Sequence, residues 1–280
     1  MAVKTILVHL DGTPRCVARV SIAAQLARSF GGHLIGIAPT GVADIVLSLN
    51  TAIPDGIEYI QLSAKHLRVR AEASAERFRA QVESMALPSF EALVVEDRTD
   101  EAVVHLGRCS DLVVVGQADP GSFIEGVERD FAQQVLMNVG RPVLVVPFAG
   151  EFAATGRRIL VAWNGGREAA VAVRDALPFL QTAEQVDLLV VGRPEGEAGG
   201  SRSGLDDARR WLARHGVEVR CHSEDADADV GERVLSRACD LGADLVVMGA
   251  YGHSRMRQWA LGGATKSMLE RMTAPVLMAR

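Results

Sequence analysis

The chain has 280 residues, 48% of them hydrophobic, and 30 Lys and Arg against 35 Asp and Glu give a formal net charge of −5. That length accommodates two domains, each able to bury its own core. The dispersed and slightly acidic charge excludes the continuous basic face that nucleic acid requires. With no signal-peptide order at the N-terminus and no apolar run near the roughly 18 residues of a membrane span, the expectation is a cytoplasmic protein with no membrane partner.

From the N-terminus, the apolar run 5-TILVHL-10 reads as a buried strand. Thr13-Pro14 then offers a capping hydroxyl and a proline for the first helical position, and the helix runs to about Phe30 before Gly31-Gly32. A second strand, HLIGIAP, precedes a long helix in which Ile60, Leu67, Ala71, Ala75, Phe78, Val82 and Met85 recur at helical spacing. FEALVVE, a short helix around Asp100 to Arg108, DLVVVG and PVLVVP complete the series.

The series then repeats. KTILVHLDGT returns as RRILVAWNGG, SDLVVVGQ as ADLVVMGA and GRPVLVVP as TAPVLMAR, with a shorter middle in the second copy. Helices are expected over Arg167 to Leu180 and Val230 to Leu241, and strands at QVDLLVV and VEVRCH. Short aliphatic strands alternating with helices predict an α/β fold of two tandem, doubly wound, parallel-sheet (Rossmann-like) domains, residues 1–149 and 156–280. Prolines at the starts of the two closing strands fit edge positions.

Along the chain, Cys16, Cys109, Cys221 and Cys239 form no CxxC pair and read as buried, reduced thiols. No metal site is expected, Cys221-His222 having no further ligands at a useful spacing. Ser21 and Ser201 lack a partner His and Asp, so no hydrolase triad is expected, and no catalytic residue is assigned.

The segment 248-MGAYGHSRMRQWALGGATKS-267 follows the fourth strand of the second copy. Ligands of open α/β sheets sit beyond the carboxyl ends of strands. Glycines there allow backbone N–H groups to approach a phosphate, and the helix that begins in GGATKSMLERM presents a positive dipole end. Asn164, at the end of the first strand, can hydrogen-bond a sugar hydroxyl or base edge, and the backbone of Val190-Val191 can meet an adenine edge. The competing reading is that the glycines only relieve a tight turn. Arg255, Arg257 and Lys266 read as solvated charge or as phosphate neutralisers, His253 as exposed, Trp163 as packing or base stacking, and His9 as a locally satisfied strand residue.

Gly249-x2-Gly252-x9-Gly262, set between a strand and a helix and followed by PVL, resembles the ATP-binding form of the universal stress protein family. The openings, DLVV strands and PVL closings extend that resemblance over the whole chain as a tandem two-domain member. It implies ATP, with or without Mg²⁺, held at Asn164, Met248, Gly249, Gly252, Gly262, Gly263 and Thr265. It also implies a stress-response regulator, at most a slow ATPase, whose two domains pair with each other and which can form a homodimer. The alternative is a non-nucleotide interaction or dimerisation module of the same fold.

Two positions depart from the family pattern. Asn164 replaces its acidic residue, and Gly263 its Ser or Thr, forgoing about 0.5 to 1.5 kcal/mol of one hydrogen bond. In the first copy Gly249 aligns with Gly116, but Gly252, Gly262 and Gly263 align with Asp119, Arg129 and Asp130, and Glu125 and Glu128 lie between. Asp11 keeps the acidic residue, yet the acidic loop predicts that this copy binds no ATP in the family's manner.

Overall fold

The computed structural model describes residues 2–41, 56–119, 121, 130–192, 204–225, 229–251 and 263–280. Contacts divide the chain into Val3–Arg141 and a second unit of Pro142–Arg280 with the first two residues.

The N-terminal unit runs β1 (Thr5–His9), α1 (Arg15–Phe30), β2 (His33–Pro39), α2 (Gly56–Ser84), β3 (Phe90–Val95), α3 (Thr99–Gly107), β4 (Leu112–Gly116) and α4 (Phe131–Asn138). Its strands lie in the order β3-β2-β1-β4, all parallel, with Leu7 opposite both Ile35 and Val113. β1 and β4 are covered on both faces, which is why Ile6, Leu7, Val8, Val113 and Val114 are fully buried. Each such aliphatic side chain contributes roughly 1.5–3 kcal/mol. Leu67, Ala71, Ala75, Phe78 and Val82 form the buried stripe of α2, as their spacing predicts, and Gly36 of β2 leaves room for the Phe78 ring.

α1 ends at Gly31 in the left-handed region (φ 59°), where glycine is free of the Cβ penalty. Its start differs from expectation. No side chain caps it, because the Thr13 hydroxyl donates instead to Asp11 Oδ1 at 2.5 Å and ties down the turn after β1.

The C-terminal unit runs β5 (Val143–Val146), β6 (Arg158–Ala162), α5 (Arg167–Leu180), β7 (Gln185–Val191), α6 (Gly204–Arg214), β8 (Arg220–Glu224), α7 (Val230–Leu241), β9 (Leu245–Gly249), α8 (Gly263–Arg271) and β10 (Val276–Ala279). Its strand order is β5-β10-β9-β6-β7-β8. All pairings are parallel except β5 with β10, where Leu277 opposes Leu144. β10 is therefore an inner strand, contrary to the edge position that its proline suggested. Pro275 is tolerated because it precedes the ladder, where its carbonyl accepts from Val246 N at 3.0 Å.

One repeated residue fastens each sheet. Asp111 accepts the backbone N–H groups of Lys4 and Thr5, and Asp244 those of Gly156, Arg157 and Arg158, so the aspartate before β4 and β9 pins the start of β1 and β6. The thiols also differ from expectation: all four cysteines are free, but Cys109, Cys221 and Cys239 are exposed because they fall on a turn, an outer strand and an outer helix face. Among the described residues, no helix is long and apolar enough to cross a membrane.

Candidate functional site

Each unit has a place where chain direction reverses along the sheet. From β6 the chain builds outward to β7 and β8, then returns to the other side of β6 as β9; β1 relates to β2, β3 and β4 in the same way. Ligands of such sheets enter at this point, beyond the carboxyl ends of the two diverging strands.

In the C-terminal unit the point falls between β6 and β9, where Ala162 opposes Met248. Asn164 follows β6. Its Oδ1 accepts from Gly166 N at 2.9 Å, closing a tight turn into α5, while its Nδ2 makes no hydrogen bond among the described residues. Trp163 beside it buries Nε1 with no partner among the described residues, a second donor left unspent. Met248 and Gly249 end β9, so three predicted positions, Asn164, Met248 and Gly249, meet on one edge. Met248 is buried, so its side chain belongs to the core.

Gly249 is needed for close packing. A Cβ there would lie 2.5 Å from Ala169 N and 2.6 Å from Glu168 C, both backbone atoms in the first turn of α5. Thr265, in the first turn of α8, is buried, and its Oγ1 accepts from Tyr251 N at 3.2 Å, leaving only its hydroxyl proton to give. Tyr251 has φ 63°, an unusual value for a residue with a side chain. Gly263 opens α8. Val191 ends β7 on the far side of β6, opposite Glu224. Gly252 and Gly262, with His253, Arg255 and Arg257, lie outside the described residues. Lys266 pairs with Glu270 at 3.8 Å with both side chains exposed, the solvated-charge reading.

Two features escaped the sequence reading. Asp229 caps α7 by accepting Glu232 N at 3.1 Å, and its other oxygen lies 3.9 Å from the Cβ position of Gly263, close to the start of α8. The Asp-x-x-Glu spacing was its available signal. Beside Val191, a cavity of about 440 Å³ is lined by Gly192, Ser223, Glu224, Arg233, Arg237 and Asp240. Arg237 pairs with Glu224 at 3.0 Å, and with Asp225 and Asp240 also present this charged lining suits sugar hydroxyls better than an adenine ring. His222, next to Cys221, contacts Asp187 at 2.7 Å.

The corresponding place in the N-terminal unit is built differently. Asp11 forms the same turn, accepting from Thr13 N at 3.0 Å. Arg19 of α1 then reaches in: Nη2 donates to Asp11 Oδ2 at 2.7 Å and Nε to His9 O at 2.8 Å, with 3% of the Arg19 side chain exposed. A Cβ on Gly116 would overlap Arg19 Nη1. The guanidinium and the Thr13 bond hold the Asp11 carboxyl below the usual carboxylate range against the opposing effect of its burial. Burial, and then Arg19, lower His9 to a pKa of about 3. His9 is buried against Phe131, ring centroids 4.6 Å apart.

A parallel α/β sheet with a glycine at its reversal point and a helix start beyond it, built twice in one chain, defines a tandem doubly wound protein. Residues 156–280 match the model of the universal stress protein family. A universal stress protein of Synechocystis sp. is 23% identical over 297 residues, covering 99% of this chain and 100% of that one. A universal stress protein from Archaeoglobus fulgidus shares the fold with a TM-score of 0.71 at 14% identity, over 99% of this chain and 98% of that one. A protein of unknown function from Pseudomonas aeruginosa shares it with a TM-score of 0.62 at 15% identity, over 99% and 92%. The family match thus rests on residues 156–280, and the whole chain shares the tandem two-domain fold of the Archaeoglobus protein.

Proposed function

We propose that the C-terminal domain, residues 156–280, binds ATP with Mg²⁺ at the β6–β9 reversal point, and that the chain is a cytoplasmic stress-response regulator rather than a catalyst. The observation that carries this reading is the meeting of Asn164 and Gly249 on either side of that point, with two donors, Asn164 Nδ2 and Trp163 Nε1, unspent among the described residues. Asn164 would contact the sugar, the backbone of Gly249 and the start of α8 the phosphates, and Val191 the base edge, with Gly252, Gly262, Gly263 and Thr265 completing the cradle. Hydrolysis requires an oriented water and a base as well as a cradle, and no residue is assigned to either. The N-terminal domain, residues 1–149, serves as a structural partner, and a homodimer can form in addition.

Calorimetry with ATP and Mg²⁺ on protein stripped of nucleotide tests the reading, beside Gly252→Asp, which copies Asp119. Saturable binding by the native chain, weakened at least tenfold in the variant, is expected, since a carboxylate in the cradle costs upwards of about 1.4 kcal/mol. No binding by the native chain overturns it in favour of an interaction module, for which the antiparallel β5–β10 pairing is the supporting observation.

A further inference from the structure

The N-terminal reversal point contains a group that its twin lacks. Aligned on Asp11 and Asn164, Arg19 corresponds to Ala172. Arg19 is an unusual residue for the inner face of a helix, its neighbours Val20, Ile22, Ala23 and Ala24 being fully buried and apolar. A guanidinium is retained in such a place only when its donors are matched. Here Asp11 supplies a carboxylate, the carboxyl end of β1 supplies the carbonyl of His9, the Cys16 thiol contacts the guanidinium, and Gly116 leaves the space it occupies.

We propose that Arg19 is an internal ligand: its guanidinium occupies the β1–β4 reversal point, neutralises the acidic residue retained there, and closes that crevice to outside molecules. The acidic loop first suggested that this copy repels phosphates. Occupation by Arg19 is a separate and stronger bar, because it is independent of charge on the incoming molecule and of salt. It also explains why Asp11 can persist without a ligand: the carboxylate is buried at 7% exposure but paired. This inference stands whether or not the C-terminal domain binds nucleotide.

The test is chemical rescue in the full chain. Arg19→Ala removes the internal ligand and leaves Asp11 facing an empty space shaped for a guanidinium. Its N-terminal transition in differential scanning calorimetry is expected to fall by on the order of 10 °C. Millimolar methylguanidinium chloride should then raise it saturably by at least half of the loss, whereas sodium chloride at equal ionic strength should not. The native chain and the Asp11→Asn, Arg19→Ala double variant should show no such rise. Equal responses in all three proteins, or none in Arg19→Ala, overturn the proposal. Should Arg19→Ala fail to fold, Arg19→Lys decides: a shorter ammonium cannot reach both Asp11 and His9 O, so its transition should fall. An Arg19→Lys chain as stable as the native one overturns the proposal.

Discussion

The two reversal points share their strands, their turn and their first glycine, and differ in what completes them. Around β1 and β4 the completion is internal, an arginine paired with an aspartate and buried to 3% and 7% exposure. Around β6 and β9 the same positions hold Ala172 and Asn164, and the backbone of α5 comes directly against Gly249. One copy has thus filled its reversal point from within, while the other keeps two donors unspent among the described residues. A repeat can therefore preserve a fold twice while completing its reversal points differently.

The sharpest way to break this comparison is to delete the same residue in both copies. Asp11→Ala strands a buried guanidinium and is expected to cost about 3–5 kcal/mol. Asn164→Ala removes one turn hydrogen bond, about 0.5–1.5 kcal/mol. Urea unfolding followed by calorimetry of each transition separates the two, and equal losses would mean that the Arg19–Asp11 pair is not what completes the N-terminal unit.

Acid should act on the N-terminal unit first. His9 is buried neutral, with its folded pKa at about 3 against 6.5 when free. Below pH 6.5 the unfolded chain takes up a proton that the folded chain refuses, so stability falls as pH falls. Asp11 acts with the same sign further down, since its folded value also lies below its free one and the unfolded chain gains the proton first. From pH 6.5 to 4, His9 alone should remove about 3 kcal/mol. His9→Ala, which copies Ala162, should flatten this slope. A slope unchanged in that variant would show that another group carries the acid sensitivity.

The fold was largely legible because its signals are local or repeated. The aliphatic runs, the αL glycine at Gly31 and the apolar stripe of α2 are each written within a few residues. The doubled DLVV motif also marked Asp111 and Asp244, although their task of holding the start of β1 and β6 became visible only once distant strands were adjacent. Of the candidate site, the sequence placed Asn164, Met248 and Gly249 at strand ends that the fold brings together, but not what their neighbours do. Thr265 appeared available for phosphate because nothing in sequence links it to Tyr251. Arg19 was passed over because it lies mid-helix, eight residues from Asp11, and only the bend from β1 into α1 brings the pair together. The closing proline misled for a related reason: its cost depends on whether it stands inside the ladder or one residue before it.

The first glycine of the motif offers the finest test. It is retained in both copies, as Gly116 and Gly249, while Gly252, Gly262 and Gly263 have no glycine counterparts. Retention in a copy closed by Arg19 argues that the missing Cβ at this position serves packing, leaving the Gly249 backbone N–H as its means of meeting a ligand. Gly249→Ala would press a Cβ against the backbone of Glu168 and Ala169, which cannot rotate away, so α5 must retreat from β9 at about 1–3 kcal/mol. Gly116→Ala meets the tip of the Arg19 side chain, and its smaller loss should disappear when Arg19 is also replaced, a coupling that a double-mutant cycle measures directly. A Gly249→Ala chain of unchanged stability that had lost ATP binding would reverse this assignment. The glycine would then belong to the ligand, and its counterpart Gly116 would be the trace of a site that Arg19 later filled.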